Sequence, residues 1–316
     1  MSELETFDVR RDEPMRKHTS WRVGGPADLF FEPADEAVLE RFLRALPADL
    51  PVCFVGLGSN LLVRDGGIRG AVISTRRLAK RLVRVGDERV IAGAGLPCAR
   101  LARQSVQWKL GPAAFFAGIP GTVGGALAMN AGAFGGETWN NVEAVEIIDR
   151  RGDRRTLPRA AFSIGYRTVR LAPPVSDTFS EKVSDTFSAA GLPFWFLAAT
   201  FRFERDETLD MSVIKTMLEK RGATQPLGVP SCGSVFRNPE GAHAGALIEQ
   251  AGLKGLAIGG ARVSEKHANF IVNTGGAAAD DIEQLIETVR RRVEERTGVV
   301  LELEARVIGE RRREGR

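Results

Sequence analysis

Histidine, cysteine and tyrosine are scarce in this chain of 316 residues, with three, three and one respectively. His18, His243 and His267 stand too far apart for a metal triad, so each reads as a structural hydrogen-bonder and no metal site is expected. Cys53, Cys98 and Cys232 are odd in number and form no CxxC pair, which argues against a disulfide framework or a zinc site and fits a reducing cytoplasm. The N-terminal residues MSELETFDVRRDEP hold no apolar signal core, so export is not expected. Charge of one sign is not concentrated either. The net charge is +4, from a general arginine excess. Its tight clusters are Arg290, Arg291 and Arg292 on a predicted helix, and Arg311, Arg312 and Arg313 in a tail. A chain without a basic stripe is not expected to bind nucleic acid.

The chain also has one long stretch without any charge, residues 110–136, LGPAAFFAGIPGTVGGALAMNAGAFGG. Its length suits a membrane span, but Pro120, Asn130 and the glycines interrupt it, and a spanning helix needs about 20 predominantly apolar residues. Gly118, Gly121, Gly124 and Gly125 bare the backbone and let it approach a ligand closely. Thr122 is placed to cap a short helix over 123–129, whose N-terminus favours a phosphate. A packed glycine-rich loop with no ligand is the competing reading.

Elsewhere helical and alternating patterns mix, so the chain reads as α+β. Helical spacing covers 35–46, 97–110, 245–251 and 280–296, and 208–221 with Met211, Ile214, Met217 and Leu218 inward. Strands are expected at 28–31, 52–55, 71–74, 90–93, 142–149, 194–203 and, alternating cleanly, 299–308. After the strand at 52–55 comes GLGSNLLVRDGGIRG. Gly56 and Gly58 begin a GxGxxG whose third glycine is replaced by Leu61, and no GK[ST] is present. With Ser59 and Asn60 as extra donors, the loop reads as an anion nest or as a plain polar hairpin loop. Two such glycine loops, each beside apolar strands, favour a dinucleotide with two phosphates. Residues 172–193, with VSDTFS repeated at 175–180 and 183–188, read as an exposed connection.

Three polar residues stand out. Arg167 follows Tyr166 at the end of an apolar segment, Ser234 sits in a loop of small residues, and Glu304 lies on the last strand. An arginine can grip a carboxylate by two hydrogen bonds, a hydroxyl near a cation can give up a proton, and a glutamate can orient it. A structural hydrogen bond is the plainer role for each. Ser234 lies outside any GxSxG, which argues against a serine hydrolase.

The motifs GLGSNLLVRDGGIRG, AGIPGTVGGALAMNAGAFG, GYR, PSCGSVFRNP, AGLKG, VSEKHANFIVN and LELEARVIG occur in this order over about residues 17–310. Together they resemble the UDP-N-acetylenolpyruvoylglucosamine reductase (MurB) family of peptidoglycan synthesis. The middle motif also resembles the wider group of FAD-binding domains shared with flavin oxidases.

The resemblance implies an FAD-binding module of the PCMH type in two subdomains, 17–80 and 81–205. A C-terminal α+β substrate-binding domain would follow at 206–310, with 1–16 a flexible lead-in and 311–316 a tail. Gly56, Gly58, Ser59, Asn60 and Leu61, with Gly118, Ile119, Pro120, Gly121, Thr122, Gly124 and Gly125, would hold the FAD pyrophosphate. Asn130, Ala131 and Gly132 would lie near the flavin. No histidine or cysteine stands at a covalent-flavin position, so FAD is expected to be noncovalent. NADPH would be the reductant and a UDP sugar the substrate. Ser234 would be the proton donor, Arg167 and Glu304 the other catalytic residues, and Tyr166, Arg237 and Asn238 would contact substrate. Arg237 and Lys220 are the candidates for assisting Ser234. The lone tyrosine is already used in GYR, so the chain resembles the smaller type, which lacks a tyrosine-bearing loop over the substrate. The competing readings are a flavin oxidase with another substrate and a nucleotide-binding regulatory protein, which would carry no yellow cofactor.

Overall fold

Packing groups the chain into two units in a way that sequence order does not, in a computed structural model that describes residues 3–173 and 192–312. The first holds Met1–Arg11, Leu29–Gly56 and Gly70–Glu219; the second holds Asp12–Asp28, Leu57–Arg69 and Lys220–Arg316. The repeated VSDTFS segments lie outside the described residues.

In the first unit, helix α1 (Glu36–Ala45) starts where Asp35 Oδ1 accepts from the Val38 N–H at 2.8 Å. It buries Leu39, Phe42 and Leu43, and Phe42 stacks on Phe31 at 4.0 Å. Beside it the strands Val52–Val55 and Ile68–Ser74 pair in parallel, both ending in buried residues. A second, antiparallel sheet has the order Arg154–Pro158, Val142–Asp149, Phe194–Arg202, Arg89–Gly93, Leu82–Val85. Helices α2 (Cys98–Gln107) and α3 (Val123–Met129) share a core with it, built around Phe116, Phe194 and Phe201.

Helix α4 (Met211–Thr224) differs from expectation. Ile214 is its buried residue, Met217 and Leu218 pack half-buried, and Met211 is 41 % exposed. The reason is a late start. Asp206 Oδ1 accepts from the Thr208 N–H and Asp210 Oδ1 from the Ser212 N–H, so residues 206–210 are spent on turns.

In the second unit, helices α5 (Ala244–Gln250) and α6 (Ala279–Thr297) and the sheet Ala257–Ile258, Ala261–Val263, Ile271–Asn273 enclose a core that Trp21 enters from far away in sequence. Trp21 is fully buried; its indole N–H donates to the Ile271 carbonyl at 2.7 Å, and Asn273 Nδ2 donates to the Trp21 carbonyl at 2.9 Å. Leu61–Val63 pairs in parallel with Arg306–Ile308. These two attachments are why residues 12–28 and 57–69 group with the C-terminal residues, where the family resemblance implied one subdomain over 17–80. The lead-in also has regular structure: Glu3–Thr6 is a short 3-10 helix and Arg10–Pro14 a strand. The last strand is shorter than its alternation predicted. It pairs over Arg306–Ile308, with one bridge from Leu303 to Phe236 before it. Leu301 and Ala305 are nevertheless buried as the alternation required.

Arg64 meets Glu283 on α6 with two hydrogen bonds of 2.9 Å, and Arg311 adds a third at 3.0 Å. The Arg64 hydrogen bonds hold the Glu283 carboxyl below its ordinary pKa. The stabilisation is therefore complete above the ordinary carboxylate range and is lost as pH falls through the lowered folded value. Glu283→Gln is expected to cost roughly 1 kcal/mol at neutral pH, discounted for the partial exposure of Arg64, and nothing in strong acid. Urea unfolding at pH 7 and in strong acid, below the lowered carboxyl value, checks both limbs.

Candidate functional site

A cleft in the first unit opens where the parallel strands end. Phe54, Val55 and Gly56 line it from one strand end and Thr75 from the other. Ala94, the α3 residues Gly124, Gly125 and Ala128, and Phe194, Trp195 and Phe196 complete it, with Thr122 at the start of α3. The carboxyl ends of parallel strands are the usual place for a ligand crevice in an open sheet.

Thr122 caps α3 as expected, its Oγ1 accepting from the Gly125 N–H at 3.3 Å. A Cβ on Gly56 would lie 2.5 Å from Thr122 Oγ1, and one on Gly124 would lie 2.8 Å from the Ala94 Cβ. Gly125 is exposed, and a Cβ there would touch nothing nearer than 3.7 Å, so its face is open. Phe54 and Trp195 stack at 4.3 Å and 20°. Trp195 is buried in the wall, and its indole N–H has no hydrogen-bond partner among the described residues. Open glycine backbone, apolar rings and an orphaned donor fit a flat group carrying hydrogen-bond acceptors, as an FAD would.

Other glycine-loop residues have different surroundings. Gly118 closes a 3-10 turn, and a Cβ on it would lie 2.5 Å from the Phe134 ring. Ile119 is buried and Pro120 exposed, while the Gly121 carbonyl accepts from Cys98 N–H at 2.9 Å. Ala131 is buried and its carbonyl accepts from Thr138 Oγ1 at 2.7 Å. Gly132 pairs with Glu137. Arg167 occupies the two-residue turn between strands Phe162–Gly165 and Thr168–Leu171, at a left-handed φ of 52°. Its guanidinium lies 4.9 Å from the centre of the Tyr166 ring, which is 47 % exposed.

The second unit carries the other candidates. Gly58 has a φ of 64° and passes so near His18 that a Cβ would lie 2.0 Å from its carbonyl oxygen, which only glycine permits. Ser59 is half-buried beside it, and Leu61 opens the strand paired with Arg306. Asn60, expected at the cofactor, donates from Nδ2 to the Glu304 carbonyl at 2.9 Å and accepts from the Arg306 N–H at its own carbonyl. The Glu304 N–H in turn donates to the Val235 carbonyl at 2.8 Å, which sets Ser234 and Glu304 on touching segments. Both residues are half-buried. The Cys232 thiol is pushed well up in pKa by burial and then by the nearby Glu304 charge.

Asn269, which the sequence reading did not single out, pins the Ser234 segment. Its side chain donates to the Phe236 carbonyl at 2.8 Å and accepts from the Phe236 N–H at 2.9 Å, while its own carbonyl accepts from the Val235 N–H. Arg237 pairs loosely with Glu302 at 3.7 Å, and Asn238 Oδ1 accepts from the first N–H of α5 at 3.1 Å.

The cleft walls Phe54, Thr75, Ala94, Trp195 and Phe196 were also missed, because strand-end residues carry no motif. Among the described residues no group of three His, Cys, Asp or Glu side chains is gathered to hold a metal, and no helix is long and apolar enough to cross a membrane.

Residues 27–157 match the family model of an FAD binding domain, and residues 225–308 match that of the UDP-N-acetylenolpyruvoylglucosamine reductase C-terminal domain. The UDP-N-acetylenolpyruvoylglucosamine reductase of Alkalilimnicola ehrlichii is 51 % identical over 97 % of this chain and 97 % of its own. That of Nitrosospira multiformis is 49 % identical over 96 % of this chain and 89 % of its own. Among solved structures, the UDP-N-acetylenolpyruvylglucosamine reductase of Thermus caldophilus superposes with a TM-score of 0.73 at 31 % identity, covering 95 % of this chain and 99 % of that one.

Proposed function

The chain belongs to the UDP-N-acetylenolpyruvoylglucosamine reductase family and is an FAD-dependent reductase of peptidoglycan synthesis, and from that premise we propose how its own residues share the reaction. The substrate is UDP-N-acetylglucosamine enolpyruvate and the product UDP-N-acetylmuramate.

The glycine loops around Gly56 and around Gly121, Thr122, Gly124 and Gly125 hold FAD without a covalent bond. FAD held there would supply hydride chemistry toward the outer alkene carbon, with NADPH as its reductant. Arg167 grips the substrate carboxylate by a two-pronged hydrogen bond and stabilises the charge that hydride addition drives toward it. The Ser234 hydroxyl delivers a proton to the carbon bearing that carboxylate, so one hydride and one proton saturate the double bond. Glu304 orients that proton and lets it be replaced from solvent. Tyr166, Arg237 and Asn238 contact the rest of the UDP sugar. Cys53, Cys98 and Cys232 are all buried, and cysteines so few and so scattered support a reducing cytoplasm as the place of reaction.

The observation that carries the Ser234–Glu304 pairing is the 2.8 Å hydrogen bond from the Glu304 N–H to the carbonyl of Val235, the residue next to Ser234. The test of the whole reading is an anaerobic visible spectrum of the purified protein. NADPH is expected to bleach the flavin band, and the enolpyruvyl sugar to restore it. A flavin that bleaches but is not reoxidised by the sugar rejects the substrate. A protein that takes up no flavin even with added FAD rejects the cleft as well.

A further inference from the structure

Asn130 stands in the glycine-rich segment expected near the cofactor, yet its side chain turns into the protein. It is fully buried and closes helix α3 in a left-handed conformation, φ 46° and ψ 53°, which asparagine tolerates better than most residues. Its amide nitrogen donates to Glu137 Oε2 at 2.9 Å and to the Gly165 carbonyl at 3.1 Å. Its amide oxygen accepts from the Trp139 N–H at 3.1 Å. A backbone donor on one side and two acceptors on the other leave the amide a single orientation, because the flipped group would face like with like.

Both ends of Arg167 are tied to this one residue. The side chain of Asn130 holds the carbonyl of Gly165, the residue that opens the Tyr166-Arg167 turn. The main-chain carbonyl of Asn130 accepts from Arg167 Nη1 at 3.1 Å, with the Gly132 carbonyl 3.5 Å from Nη2. The left-handed turn of the chain at Asn130 belongs to the same conformation that brings this carbonyl to the guanidinium. A non-glycine residue at φ 52° is strained, so the Arg167 turn is itself a conformation that its surroundings must hold in place.

We infer that Asn130, with its amide oriented by Glu137, is the positioning residue for Arg167 in the reduction rather than a ligand of the cofactor. The inference rests on the reading of Arg167 as the grip on the substrate carboxylate. It predicts a coupling that a merely structural asparagine lacks, since a residue acting through Arg167 has nothing left to do once Arg167 is gone.

The experiment is a double-mutant cycle on the FAD-loaded enzyme. Asn130→Asp replaces the donor with a second oxygen facing Glu137 and the Gly165 carbonyl. In the presence of Arg167 it is expected to lower kcat/KM for the enolpyruvyl sugar by roughly 10–100-fold, a typical result of unsatisfying a buried hydrogen-bonding group. In an Arg167→Ala background the same change is expected to cost less than about 2-fold, with flavin content unaltered. Equal losses in both backgrounds, or loss of flavin, overturn the inference.

Should Asn130→Asp fail to fold, Glu137→Ala takes its place in the cycle, with Glu137→Gln as the conservative variant that keeps an oxygen for the Asn130 amide. Most of the activity lost in Glu137→Ala is then expected to return in Glu137→Gln, and its failure to return overturns the role of Glu137. If Arg167→Ala alone keeps full activity, the grip on the carboxylate falls and the inference falls with it. That outcome is distinguishable from a failed coupling, because it shows in the single variant.

Discussion

Ser234→Ala is expected to leave an enzyme whose flavin NADPH still bleaches at the normal rate, while turnover of the enolpyruvyl sugar falls by roughly 10²–10⁴-fold, the usual contribution of a positioned proton donor. The two halves of the reaction separate cleanly in stopped-flow absorbance, which makes the expectation specific. Removing one hydroxyl from a half-buried loop opens little space, and the segment keeps its backbone ties through Val235 and Phe236 to Asn269. The loss should therefore fall on reoxidation of the flavin by the sugar and spare the melting temperature. A variant that reoxidises at the wild-type rate rules Ser234 out as the donor, whatever becomes of Glu304. A variant slowed in both halves points to a displaced loop.

Gly56→Val is expected to yield protein that purifies colourless and binds added FAD at least about 100-fold more weakly, since overpacking at a tight wall commonly costs 1–3 kcal/mol and here also fills the ligand's side. The first added carbon would sit 2.5 Å from Thr122 Oγ1 and 3.0 Å from its Cγ2. Thr122 is 2 % exposed and its Oγ1 caps α3, so it cannot swing aside without giving up the cap. Either the strand end or the helix start must move, and both line the cleft. Gly222→Ala in α4 is the control. A Cβ there meets nothing nearer than 3.7 Å, and alanine favours a helix, so flavin content should not change. Absorbance of the purified proteins and fluorescence titration with FAD measure both. Undiminished affinity in Gly56→Val moves the cofactor out of this cleft and leaves the family assignment standing.

Much of the local structure was legible in the sequence because it depends on near neighbours. Thr122 caps α3 and Asp35 caps α1 through bonds spanning three residues, and the apolar spacing of Ile282, Leu285, Ile286, Val289 and Val293 makes α6 buried on one face. The ordered motifs carried the family, and with it FAD and the enolpyruvyl substrate, since each motif is a contiguous run.

The tertiary structure decided what depends on distant residues meeting. Trp21 reaches the carbonyl of Ile271, and the strand at Leu61–Val63 pairs beside Arg306–Ile308, so segments read as parts of the first domain pack with the last. Asn60, Asn130 and Asn269 have polar side chains whose partners could have been ligand or protein. Only the folded chain shows their amides spent on Glu304, on Gly165 and Glu137, and on Phe236. An amide donates and accepts equally well to many partners, so its residue type does not determine its use. Capping and apolar periodicity are local and can be read in order along the chain. The pairing of backbone and amide groups across 35 or 244 positions is set only when the core closes around them.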